Sequence, residues 1–289
     1  MRIPPRYGPP PIVEYQGDPG AVAAPAVRQW MRLADTLTGF GPAEWAAPSR
    51  CSGWTNRDVV VHLATGTRFW IDSISAGRRG VPTTRLDTFD PVATPARIVA
   101  SAGDLADDQA LARYRTVTRD LVDLVHDLAG EEWGLPAEGP LGHVSISAVL
   151  RHAAWDAWVH ERDILLGIGI LPPVEPDEVD SALRCAAALG PALGVLLGDL
   201  GHDRRAAGVT TTDPEVGFTV RVDRVVRVTA DLDPAAPPAV HGPAVAVLEG
   251  LSQRIPLALQ PAARWLTSGL EKAFESIDHR QGSRPGSGS

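Results

Sequence analysis

The sequence predicts an α+β protein in which an N-terminal four-helix bundle precedes a smaller α+β domain. Two observations carry this reading. Apolar residues recur at helical spacing in four segments before Pro173, and beyond it short runs alternate β-branched with polar residues. At 289 residues the chain exceeds the common size of one domain, and 44% hydrophobic with 21% charged residues is the composition of a chain that folds.

A Pro-rich lead, residues 1–17, comes first. Val27, Trp30, Met31, Ala34 and Leu37 then mark a first helix, beginning near Asp18 or Pro25 and stopped by Gly39 and Pro42. Thr55, with Asp58 three residues on, is a capping box that opens a second helix over roughly 56–76. A loop rich in Gly, Pro, Arg and Thr follows, with a short helical piece after Pro95. Leu111, Tyr114, Val117, Leu121, Leu124 and Leu128 form the stripe of a third helix closed by Gly130. A fourth runs from about Ser145 to Gly167, ahead of Pro172 and Pro173. Four helices joined by modest loops make a bundle over 18–173. In 174–280 an Ala/Leu-rich helix (about 177–200) leads to strands in GVTTTDP, GFTVRVD and RVVRVTADLD, and then to helices in VHGPAVAVLEGLSQR and ARWLTSGLEKAFESI. Residues 281–289, GSRPGSGS at their end, read as a flexible tail.

Charge and composition exclude several classes. A net charge of −8 gives no overall basic field for nucleic acid. No apolar run of about 18 residues and no signal-peptide core is present, so the expectation is a cytoplasmic protein with no membrane partner. Two cysteines, Cys51 and Cys185, are too few for a disulfide framework; both read as packing residues of a reducing compartment.

The chemistry gathers on two helices. His152, Asp156, His160 and Asp163 sit at offsets 0, 4, 8 and 11 on the fourth helix, within roughly 80° of one face that also carries Val149, Ala153 and Ile164. On the second helix, His62 shares the stripe of Val59, Leu63, Gly66 and Phe69. Imidazoles and carboxylates buried without partners cost several kcal/mol, so hydrogen bonds, ion pairs or a metal must satisfy them. A lone core histidine is more often merely hydrogen-bonded. A carboxylate and a histidine at i, i+4 with a third ligand from a facing helix, however, make a divalent-metal site with an open position: His62, Asp156 and His160.

The segments PSRCSGWTNRDVVVHLA (48–64) and WDAWVHERDILLGIG (155–169) resemble the mycothiol-dependent maleylpyruvate isomerase family of DinB-like bundles, and VHGPAVAVLEGLSQRIPL with ARWLTSGLEKAF is similar to that family's second domain. The resemblance spans roughly 20–275. It implies zinc held by His62, Asp156 and His160, with Asp163 three residues beyond the last histidine either orienting an imidazole or standing as a helix-end charge. The family pattern often has Glu where this chain has Asp156; one methylene shorter, it requires a closer helix, or completion of the shell by His152 or water. The implied activity is that of an enzyme with mycothiol as thiol cosubstrate and an electrophilic small molecule as substrate: a thiol-dependent isomerase, or alternatively a mycothiol S-transferase. A third alternative is a non-catalytic small-molecule or lipid binding protein, because the second domain looks like a sterol-carrier type of module. Trp54, Trp155 and Trp158 read as bundle packing, Arg221, Arg224 and Arg227 as solvated strand charges, and Arg254 as the residue to grip thiol or substrate.

Overall fold

In the computed structural model, which describes residues 1–86, 89–102, 105–201 and 203–274, the fold is α+β. Four long helices, α1 (Ala23–Thr38), α3 (Asn56–Arg78), α5 (Asp107–His126) and α6 (Ile146–Gly167), pack as a bundle; short α2 (Pro42–Ala46) and α4 (Ala93–Ser101) lie in the connections. Their apolar stripes meet in a core of Trp30, Leu33 and Leu37 from α1, Val59, Leu63 and Ile74 from α3, Tyr114 and Leu121 from α5, and Leu150 and Ile164 from α6. The capping box forms as expected: Thr55 N–H donates to Asp58 Oδ2 at 2.8 Å and Asp58 N–H to Thr55 Oγ1 at 3.3 Å. At the start of α6, Ser145 Oγ accepts from Ala148 N–H at 3.2 Å.

Beyond the bundle, α7 (Pro176–Leu196) separates α6 from a five-stranded sheet of order β1-β6-β5-β4-β7. Strands β4 (Arg205–Thr212), β5 (Val216–Val222) and β6 (Val226–Val228) pair antiparallel; β7 (Pro238–Pro243) adds parallel to β4. By length and composition α7 could cross a membrane, but 78% of its apolar window is buried. From Cys185 onward it is apolar all round because α6, α8 (Ala244–Leu251), α9 (Ser268–Phe274) and the sheet cover the helix.

The lead is more than a prelude. Val13–Tyr15 forms β1, parallel to β6, and Ile3 and Ile12 are buried. Upstream, the chain lies on the hairpin β2 (Pro136–Gly139) and β3 (Gly142–Ser145), which no alternating pattern in the sequence announces. Gly142 turns that hairpin at φ +109°, and a Cβ there would stand 1.9 Å from the Arg6 carbonyl oxygen, so the lead approaches only because no side chain is present. The segment read as one helix from Val240 begins as strand β7, since Val240–Pro243 supply the backbone partners of β4's outer edge; only Ala244–Leu251 are α-helical. The last expected helix is a 3-10 turn (Pro261–Leu266) and α9, while residues 275–280 and the tail 281–289 lie outside the described residues.

Helix α9 crosses α7 where both carry glycine. A Cβ at Gly190 would lie 2.1 Å from the Leu266 carbonyl oxygen, so the crossing has no room for a methyl group. Gly190→Ala is expected to destabilise the protein by about 1–3 kcal/mol through overpacking, despite alanine's better helix propensity. A urea titration that left the midpoint unchanged would show that the crossing yields freely.

Candidate metal centre and cavity

His62 in α3 and Asp156 and His160 in α6 face each other across the packed pair of helices. Asp156 Oδ2 lies 3.7 Å from His62 Nε2, and Asp156 Oδ1 lies 3.5 Å from His160 Nε2. One donor atom from each of the three falls within 4.8 Å of the others. Ligand atoms around a tetrahedral zinc with bonds of about 2.1 Å stand roughly 3.4 Å apart, so two nitrogens and a carboxylate oxygen at these separations fit one such ion after small side-chain movements. The shorter Asp156 reaches both histidines without help from His152.

The electrostatics suit a cation. Burial alone would push the Asp156 carboxyl up, but the neighbouring His62, His160 and His152 rings outweigh it and hold the group well below the usual carboxylate range. His152 lies elsewhere, between Trp70 and Trp155 at ring-centroid distances of 5.4 and 5.2 Å. Burial, partly opposed by Asp156, keeps its imidazole below the ordinary histidine range.

Behind the cluster stands a relay that sequence reading named only in parts. His160 Nδ1 is 3.1 Å from Asp163 Oδ2, and the Asp163 carboxylate accepts from Arg254 Nη2 at 2.7 Å and Nε at 3.0 Å. Asp163 is fully buried; burial raises its pKa, but the bonds from His160 and Arg254 prevail and keep it ionised. An ionised Asp163 at Nδ1 fixes the tautomer that turns the Nε2 lone pair toward His62 and Asp156. Arg254, expected to grip substrate, is thus spent on Asp163. Arg50 and Glu249, which no sequence signal marked, brace it: Arg50 Nη1 donates to Glu249 Oε1 at 2.8 Å, and Arg162 Nε to the same oxygen at 2.9 Å. These partners lie up to 199 residues apart in the chain, beyond any local pattern.

Cys51 Sγ approaches Asp163 Oδ2 at 3.2 Å and His160 Nδ1 at 3.6 Å, making a second group of possible ligands with them. That group is the poorer metal site, since Arg254 already neutralises Asp163. Burial and the Asp163 charge push the Cys51 thiol up to about 12, so it is a weak nucleophile, as a packing residue should be. Cys185, 1% exposed in α7, is likewise pushed up to about 12, chiefly by burial.

The cluster opens into a cavity of about 630 Å³. Trp54 and Trp155, expected to be packing only, line it, whereas Trp158 is 2% exposed in the core. The loop before α4 supplies part of the wall. It is tied down by the Glu138 carboxylate, which accepts from Thr83 Oγ1 at 2.5 Å, Leu86 N–H at 2.6 Å and Tyr7 Oη at 2.8 Å. Arg221 and Arg227 pair with Asp233 and with Glu14 and Asp223 on the exposed sheet, as solvated strand charges do.

Residues 26–165 match the family model described as the mycothiol maleylpyruvate isomerase N-terminal domain. Among solved structures, the chain is similar to the crystal structure of the mycothiol-dependent maleylpyruvate isomerase and to that of a mutant with one histidine replaced by alanine. Each is 14% identical, with a TM-score of 0.58, and the match covers 84% of this chain and 92% of the other. At that identity the likeness is one of fold. A comparison with curated proteins found no match.

Proposed function

Because residues 26–165 match the family model of the mycothiol maleylpyruvate isomerase N-terminal domain, we propose that the chain is an enzyme of that type, using zinc and mycothiol to activate a thiol for addition to an electrophile. The observation that carries this reading is the convergence of His62, Asp156 and His160 on one point at the wall of a large cavity. When bound, zinc supplies Lewis acidity that stabilises a thiolate near neutral pH. His62, Asp156 and His160 hold it, Asp163 keeps His160 in the ligating tautomer, and Arg254 keeps Asp163 ionised. The apolar walls exclude water from the thiolate.

In the isomerase reaction the thiolate sulfur bonds to one carbon of an activated cis double bond, and the π pair moves onto the conjugated carbonyl. The new single bond rotates, and expulsion of the thiolate restores the double bond as trans. A mycothiol S-transferase would use only the first half, the carbanion taking up a proton. The apolar cavity alone would also serve a non-catalytic binding protein; the three converging ligands are what favour catalysis. The cavity is walled both by the 18–173 portion and by Leu189, Ser252 and Gln253 from the 174–280 portion, so the two are proposed to cooperate, the second gripping the thiol's polar groups.

Protein purified without chelator is expected to hold about one zinc per chain by elemental analysis and to speed the reaction of mycothiol with a conjugated enone. No retained metal, and none taken up on titration, would sink the site; zinc without thiol-dependent turnover would leave the binding-protein reading. Asp163→Asn is expected to weaken zinc binding roughly 10–100-fold, since it removes the negative charge that holds His160 in the tautomer with the proton on Nδ1. Competition against a zinc indicator measures this, and an unchanged affinity would reduce Asp163 to a structural partner of Arg254.

A further inference from the structure

We propose that the electrophile taken by this site is uncharged and carries a bulky apolar group, and that small dicarboxylates are poor substrates. The inference rests on reading the site as a thiol-activating centre. Away from His62, Asp156 and His160, the cavity is walled by Phe69 and Trp70 of α3, Phe89 before α4, Ile98 of α4, Leu189 of α7 and Phe274 of α9. Such a wall stabilises apolar surface removed from water; its neutral donors, the Trp70 indole N–H with Thr65, Thr94 and Gln253 nearby, give a carboxylate no counter-charge.

The cations decide the question. Among the described residues, only Arg50 and Arg254 bring guanidinium groups to the cavity wall, and the sequence holds one lysine, Lys272, which pairs with Asp199 at 2.8 Å. Arg254 spends Nε and Nη2 on Asp163, leaving Nη1 near the Ser252 carbonyl oxygen at 3.4 Å. Arg50 is held by Glu249 through Nη1 at 2.8 Å and Nη2 at 3.4 Å. A substrate carboxylate that captured Arg254 would take from buried Asp163 its closest cation, and one that captured Arg50 would leave buried Glu249 with Arg162 alone. With zinc and the thiolate bound, the charges of Asp156 and the thiolate would offset that of the ion, so the metal would leave no spare positive charge for a substrate carboxylate. A dianion would therefore leave water without compensation for at least one of its charges, whereas a neutral aryl or alkyl enone meets surface of its own kind.

The test uses the full-length zinc-loaded protein and two compound sets. Equilibrium binding of the unreactive ketone 4-phenylbutan-2-one and of its para-carboxylate is measured by calorimetry. Mycothiol-dependent kcat/KM is measured for the matching enone, its para-alkyl homologues, its para-carboxylate and maleylpyruvate. The neutral ketone is expected to bind at least about tenfold tighter than its carboxylate, and kcat/KM is expected to rise with para-alkyl length. Ile98→Arg, on a helix with no buried residue, supplies an unpaired cation to the apolar wall and is expected to narrow or invert the preference while zinc content stays unchanged. Equal or tighter binding of the carboxylate, or turnover of maleylpyruvate matching that of the aryl enone, overturns the proposal. If the binding preference holds but no electrophile is turned over with thiol, it is the thiol-activation reading that fails.

Discussion

His160→Ala is expected to purify without zinc and to react mycothiol with electrophiles no faster than the uncatalysed rate. His160 is one of only three proposed ligands, and a histidine and an aspartate alone are too few to hold the ion against solvent. It is also the residue through which Asp163 and Arg254 act, with Nδ1 3.1 Å from Asp163 Oδ2. The comparison variant is His152→Ala. His152 shares the helix face and lines the cavity, yet it belongs to neither group of converging ligands and is held between Trp70 and Trp155. It should keep its metal. Elemental analysis of both variants after identical purification decides the matter: stoichiometric zinc in His160→Ala, or loss of zinc only in His152→Ala, would mean that the ligand set is misassigned. Circular dichroism guards against misfolding, because His160 is buried and its removal takes one hydrogen-bond partner from Asp163, leaving it to Arg254, Cys51 and the more distant Arg50.

How far the sequence foretold this site depends on the range of each interaction. His152, Asp156, His160 and Asp163 were legible because helical periodicity puts them on one face whatever the rest of the chain does. His62 was legible because its stripe has to face the core. The roles of Arg254 and Arg50 were not, since their partners are 91 and 199 residues away and no local pattern encodes such a meeting. The same distinction runs through the fold. Helices with caps and stripes were found to within a few residues, and so were the alternating strands β4 and β5, whereas the run RVVRVTADLD holds only the three-residue β6. Strands β1 and β7 were missed because each exists through pairing with a distant edge: Val13 with Val226 across 213 positions, Val240 with Val209. Neither Val13–Tyr15, within a Pro-rich lead, nor Val240–Pro243, running into an Ala/Val helix, alternates long enough to announce a strand.

The largest stability effect is expected at Arg32, which joins the bundle to α7. Its guanidinium lies between two carboxylates, with Nη2 2.8 Å from Glu161 Oε2 and 2.8 Å from Glu178 Oε2, Nε 3.0 Å from Glu161 Oε1 and Nη1 2.8 Å from Glu178 Oε1. Both glutamate side chains are 2% exposed, so they depend on cations rather than on water: Glu161 on Arg32, and Glu178 on Arg32 together with half-exposed Arg28, whose Nε lies 2.9 Å from its Oε1. Arg32→Met keeps the length of the side chain and removes the charge. It is expected to cost about 3–5 kcal/mol, the usual penalty for orphaning buried ions, since Glu161 and Glu178 then confront each other. Arg28→Met is the control. It also contacts Glu178, but at 42% side-chain exposure it should cost under about 1 kcal/mol. The pH dependence follows from the sign of the Glu161 shift. Burial raises its pKa above the unfolded value even in the presence of Arg32, which lowers it, and nearby Glu178 adds to the rise. A carboxyl whose folded pKa is raised favours the native state at low pH and loses that contribution as pH climbs through the folded pKa. Removing Arg32 strengthens the upward shift of Glu161, so the deficit of Arg32→Met should shrink as Glu161 takes up a proton. Denaturant unfolding of the variant and the parent near pH 7 and again near pH 5 measures it; a deficit that is constant or larger at the lower pH would place the cost in packing, not in the two stranded charges.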